Sequence, residues 1–125
     1  MVERLGLMAE KEQSKDTILS TIKEGLADVY DESFDTDLLF SINGYLANLN
    51  QIGVGKQVNV FLKRDTTWDD FFGDSTGNRG TAMQYVYQKT KLDFDPPLYA
   101  SSVTTLQKST DEAYWRAQRE FDNGL

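Results

Sequence analysis

The stretch FDTDLLFSINGYLANLNQIGVG, Phe34 to Gly55, decides the fold class. Leu38, Ile42, Tyr45, Leu46 and Leu49 recur at three- and four-residue spacing, which places them on one apolar face of a helix. Asp35 reads as its N-cap, because a short carboxylate can accept from an unpaired backbone N–H of the first turn. Phe34 precedes it and is placed to staple to Leu39. Asp35 and Asp37 also suit the positive end of the helix dipole. Gly53 and Gly55 end the helix, since glycine takes the positive φ that closes it. The other segments read as elements packed on this spine, or as loops returning to it.

Upstream, a helix is expected from about Asp16 to Val29, capped by Ser14 or Asp16, with Ile18, Leu19, Ile22 and Leu26 as its buried stripe. Tyr30 to Ser33 is short and polar and reads as a turn. Downstream of Gly55 the period changes. Val58, Val60 and Leu62 alternate with Gln57, Asn59, Phe61 and Lys63, a strand-like pattern. A lone strand cannot satisfy its own backbone, so this run needs either a local hairpin or a second copy of the chain.

DTTWDDFFG, Asp65 to Gly73, reads as one short helix with Thr67 as N-cap and Asp70 closing an acidic capping box. Its Trp68, Phe71 and Phe72 are large apolar side chains suited to plugging one end of a core. A polar glycine-rich loop, GDSTGNRG, leads into a helix from about Thr81 to Phe94. Met83, Val86, Tyr87 and Thr90 share one of its faces, with Tyr85 elsewhere. Asp95-Pro96-Pro97 stops it. A last helix begins near Leu98 or Ser101 and runs to about Phe121, with Val103, Leu106, Thr110, Ala113, Tyr114 and Ala117 as a thin apolar stripe. Its middle is too polar to be packed all round, which suits a partner or a solvated helix. The fold class is mainly α: a small bundle of four to five helices with a short β-like loop or hairpin around residues 56–64.

The chain has 125 residues, enough for one core without staples. It has neither cysteine nor histidine, so disulfides, thiolate metal sites and histidine-based triads are excluded. The formal net charge is −7, from 20 acidic and 13 basic residues with no basic patch, which opposes nucleic-acid binding. No apolar run reaches membrane-spanning length and no signal peptide is visible, so a soluble, cytoplasmic protein is the expectation. The carboxylates Asp31, Glu32, Asp35 and Asp37 are explained by capping and the helix dipole. Asp65, Asp69, Asp70 and Asp74 have the wrong spacing for a calcium loop, because Phe71 and Phe72 occupy ligand positions. GDSTGNRG lacks the order of a phosphate-binding loop. No cofactor, metal or catalytic residue is expected.

Three stretches in order, FDTDLLFSINGYLANLNQIGVG, TTWDDFFGD and YVYQKTKLDFDPP, resemble the head–tail connector (adaptor, or head-completion) proteins of tailed bacteriophages. That family carries FDTD…IN…L.QLGVG, TWDDFLGD, a helix of the type YVYLKVRLLFDPP, and a closing E.EWRL that corresponds here to Glu112 through Arg116. The resemblance runs from about Thr17 to Arg116. It departs from the family at Gly77 and Gly80 and in the more polar region Val103 to Asp111.

The resemblance implies a helical, non-enzymatic structural subunit of the virion, made in the host cytoplasm. It would assemble with itself into a ring of about twelve copies. The ring would sit beneath the portal protein, extend the DNA channel without binding the passing DNA specifically, and dock the next stopper, neck or tail protein. No membrane is involved. On this reading residues 1–14 are a tail or frayed helix, 15–100 the connector core, and 101–125 a portal-contacting helix and tail. The portal-interface candidates are Tyr114, Trp115, Arg116, Arg119 and Phe121, which combine aromatic and guanidinium groups. Ring-interface or channel-loop candidates are Val58, Val60, Phe61, Lys63 and Arg64. Core-defining residues are Phe34, Leu38, Ile42, Leu46, Leu49, Trp68 and Phe71. Two rivals compete: an acidic helical module that sequesters a basic host protein, and a small hydrolase using Asp69 and Asp70 with a divalent ion.

Overall fold

A computed structural model describes residues 17–26, 32–55, 62–73, 77 and 79–123. Among them are five α-helices: α1 (Ile18–Gly25), α2 (Asp35–Gln51), α3 (Trp68–Phe72), α4 (Arg79–Phe94) and α5 (Ala100–Asn123). A 3-10 turn, Glu32–Phe34, leads into α2. No strand occurs among the described residues. The only β-type pairing there is an isolated antiparallel bridge between Thr17 and Thr67. Of the expected β-like segment, residues 56–61 lie outside the described residues, as do the expected tail 1–14 and Asp74. Leu62 is buried, and its N–H donates to Asn43 Oδ1 at 3.2 Å rather than to a neighbouring strand.

Local chemistry accounts for the helix ends. α1 begins at Ile18, because Thr17 Oγ1 accepts from Ser20 N at 3.2 Å. That cap lies one residue beyond the expected Asp16. Leu26 closes α1 as its C-cap, its N–H bonding Lys23 O at 3.1 Å, so the helix is shorter than the pattern suggested. α2 ends where Gly53 and Gly55 take φ of 88° and 84°. A Cβ on Gly55 would lie 2.6 Å from the Phe71 ring, so this glycine also admits α3 to the end of α2. α3 carries the full capping box between Thr67 and Asp70. Asp95 N bonds back to Lys91 O at 2.8 Å before Pro96 and Pro97 break the chain out of α4.

The core forms where these helices meet. Leu38, Ile42, Tyr45, Leu46 and Leu49 are buried on α2, and Ile18, Leu19, Ile22 and Leu26 on and beside α1. Phe72 is fully buried and joins three rings, with Trp68 and Phe121 stacked at 5.9 Å each and Phe71 edge-on at 5.0 Å. The expected spine α2 meets α1, the 3-10 turn and α4, and α4 is as widely connected. α4 packs on α1, on α2 and most extensively on α5. Its buried positions are Thr81, Ala82, Tyr85, Val86 and Thr90, so Tyr85 belongs inside, while Met83 and Tyr87 are only half-buried. Thr90 is fully enclosed because its hydroxyl donates to Val86 O at 2.7 Å.

Phe34 is not a core residue. The turn Glu32–Phe34 projects it outward, and it is 44% exposed. Replacing Phe72 by Ala is expected to cost about 3–5 kcal/mol in urea denaturation, whereas Phe34→Ala should change stability by no more than about 0.5 kcal/mol.

Candidate assembly surfaces

The most constrained polar group is Asp35. It heads α2 but does not cap it: Phe34 occupies the cap position with no side-chain cap bond. The Asp35 carboxylate turns inward instead and is only 6% exposed, with Lys23 Nζ at 2.7 Å and Arg64 at 3.4 Å. One buried charge thus ties α1, the start of α2 and the segment before α3. The pairing is required, since an uncompensated buried carboxylate is costly. Removing the carboxylate leaves Lys23 facing the interior alone. Asp35→Ala should therefore lower stability by about 2–4 kcal/mol.

This arrangement claims part of the expected ring or channel loop. Val58, Val60 and Phe61 lie outside the described residues. Lys63 is exposed and its N–H donates to Thr66 Oγ1 at 2.9 Å. Arg64 is 58% exposed but reaches back to Asp35, so much of its charge serves the subunit itself.

The expected portal-facing set divides in two. Phe121 is buried on Phe72, and a Cβ on Gly77 would lie 2.6 Å from its ring. Tyr114 is half-buried against Tyr85 at 5.0 Å, and its hydroxyl donates to Asn48 O at 3.1 Å. These two aromatics are consumed inside the subunit, because α5 outruns α4 and its last turns reach α3. Trp115 is 53% exposed, and Arg116 and Arg119 are exposed. At about 100° per residue, Trp115 and Arg119 share the outer stripe of α5, with Arg116 turned further around the helix.

Two carboxylates of the acidic cluster near α3 serve the fold. Asp70 closes the capping box, and Asp69 pairs with Arg79, whose guanidinium also covers the Phe72 ring at 5.0 Å. The carboxylates proposed for a hydrolase are thus engaged in holding α3. Among the described residues no group of three metal-ligating side chains occurs, and no helix is long and apolar enough to cross a membrane.

Sequence reasoning missed the α4–α5 hairpin as a surface feature. Its tip exposes Leu98 at 95% and Tyr99 at 73%. Two grooves run along it. One, of about 470 Å³, is lined by Lys91, Pro97, Thr105, Leu106 and the serines 101, 102 and 109. The other, of about 340 Å³, is lined by Lys89, Leu92, Asp93, Val103, Gln107, Thr110 and Asp111.

Polar contacts bind α2 to this hairpin. Asn48 Nδ2 donates to Tyr85 Oη at 3.2 Å, and Tyr45 Oη donates to Asp93 Oδ2. Burial pushes the Tyr85 phenol up, against the lowering effect of Asn48, so it stays protonated. Burial also pushes the Asp93 carboxyl above its ordinary value. A carboxyl raised in the folded state favours folding below its unfolded pKa, and that contribution is lost as pH rises through the folded pKa. Asp93→Asn removes the titration. Its stability relative to the wild type should therefore rise as pH climbs out of the acid range and level off by neutrality, as read from urea midpoints across pH.

A family model described as phage connector protein matches residues 18–124. No curated protein and no solved structure matches the chain.

Proposed function

The chain belongs to the phage connector protein family, and from that premise we propose that it is the head–tail connector subunit that forms a ring beneath the portal. The family role is structural, in the assembly of phage head and tail. The observation that supports this reading is that the family match runs over residues 18–124, nearly the whole of the given sequence. The geometry is consistent with a building block: the carboxylates of Asp35, Asp69 and Asp70 are spent on internal ion pairs and a helix cap, while Trp115 on α5 and Leu98 and Tyr99 at the hairpin tip are left exposed.

In this reading, copies of the subunit contact one another head to tail, and a fixed rotation closes them into a ring of about twelve. The outer stripe of α5, with Trp115 and Arg119, faces the portal protein. Trp and Arg are the types that most often dominate interface energy when desolvated. The opposite rim receives the downstream stopper, neck or tail protein. The net charge of −7 limits adhesion of DNA passing through the ring, because contact with an acidic lumen releases few counterions. The subunit is assembled in the host cytoplasm and ends in the virion neck.

The test is binding to portal rings purified from particles blocked before neck assembly. The doubly substituted chain Trp115→Ala, Arg119→Glu keeps its fold by circular dichroism, because both side chains are exposed. It should bind the portal at least about tenfold more weakly than the wild type. Equal binding by the two chains would contradict the assignment of this stripe.

A further inference from the structure

The two hairpin grooves lie on opposite faces, and their chemistry differs. On α4, Lys89, Leu92 and Asp93 continue at three- and four-residue spacing the stripe that buries Ala82, Tyr85 and Val86. On α5, Val103, Gln107 and Thr110 continue the stripe that buries Ala113, Ala117 and Phe121. The smaller groove is therefore the core-facing side of the hairpin, carried past the point where α2 covers it. Tyr45, bonded to Asp93, marks that point. The larger groove lies on the outer face. Lys91 is on the far side of α4 from Lys89 and Asp93, and on α5 Ser102, Thr105 and Ser109 lie about 100–160° round the helix from Val103 and Gln107.

Charge distinguishes the faces. The inner groove holds two carboxylates, Asp93 and Asp111, against one ammonium, Lys89. Lys91, on the outer face, is neutralised by Asp95 at 3.2 Å. One stripe of α5 then runs from Ser102 and Ser109 to the exposed Arg116 at seven-residue spacing. Arg116 is present in none of the subunit's ion pairs among the described residues.

We propose that the inner groove between Asp93 and Asp111 receives Arg116 from the outer face of a second copy, so that copies stack hairpin against hairpin, inner face to outer face. The proposal deepens the ring reading above and rests on it. A socket on one face and its cation on the other cannot satisfy each other within one symmetric pair sharing a single patch. They pass from copy to copy, which is the heterologous contact that a ring requires. A guanidinium between two carboxylates gains charge-assisted bonds and fixes the register between neighbours. Leu92 and Val103 are half-buried in this groove while Asp93 and Asp111 are exposed, so both carboxylates are open to an incoming guanidinium.

The experiment uses the full chain with exposed substitutions, Asp111→Arg and Arg116→Glu, and checks folding by circular dichroism. Sedimentation velocity reads self-association at rising concentration. Each single reversal should weaken association at least about tenfold, and an equimolar mixture of the two should recover pairs that neither forms alone. The absence of cysteine supplies a second readout: the double variant Gln107→Cys, Ser109→Cys should form disulfide-linked ladders on oxidation, whereas each single variant should stay unlinked. Dimers from a single cysteine variant would show a symmetric contact and overturn the proposal. Oligomers that ignore both charge reversals overturn it and leave the ring reading intact. Absence of both oligomers and ladders overturns the two together, whereas loss of portal binding with ladders retained overturns only the portal-facing assignment.

Discussion

The close approach of α4 and α5 is the constraint on which the rest of the molecule depends. Small side chains accompany it: Ala82 and Thr90 on α4 and Thr110, Ala113 and Ala117 on α5 are all buried, and Thr110 Oγ1 bonds Gln88 Oε1 across the pair at 3.3 Å. Small residues let two backbones run near each other, and each added methylene would push them apart. Thr90 and Thr110 can be enclosed because their hydroxyls donate to carbonyls one turn back, at 2.7 Å to Val86 O and 2.6 Å to Leu106 O. With α5 held close, Phe121 reaches Phe72 and Tyr114 reaches Asn48. The same closeness turns Trp115 and Arg116 outward.

Asp35 is the second constraint, of an electrostatic kind. A helix start that buries its carboxylate must have cations at hand. Lys23 and Arg64 come from elements on either side of it in the chain. The Thr17–Thr67 bridge, with Ile18 N on Thr66 O at 2.9 Å, lies between the same two segments. Ion pair and bridge together fasten the entries to α1, α2 and α3.

Much of this was legible in the residues, and the failures have physical causes. The apolar face of α2 and the Thr67–Asp70 box are local, set by spacing and by cap chemistry, and they appear as read. Asp35 was misread because a carboxylate at a helix start is equally suited to capping and to ion pairing. Only the arrival of Lys23, twelve residues earlier in the chain, decides between them. Phe34 was misplaced because stapling depends on where the preceding turn points it. α4 hid its importance because it is buried on more than one side, by threonine and alanine as much as by large apolar groups, so no single apolar stripe announced it. Phe121 and Tyr114 have the composition of an interface, yet rings that suit a partner suit a core equally well. What separates them from Trp115 is the direction each takes from α5. The resemblance carried the functional class, and the geometry narrowed the surfaces available to serve it.

The most direct measurement is a cryo-EM reconstruction of the neck of intact particles containing this chain. The account predicts a closed ring of copies beneath the portal, with the α4–α5 hairpin of each copy lying against that of the next and the outer stripe of α5 turned to the portal. A neck without this chain, or a single copy there with no like neighbour, would contradict it.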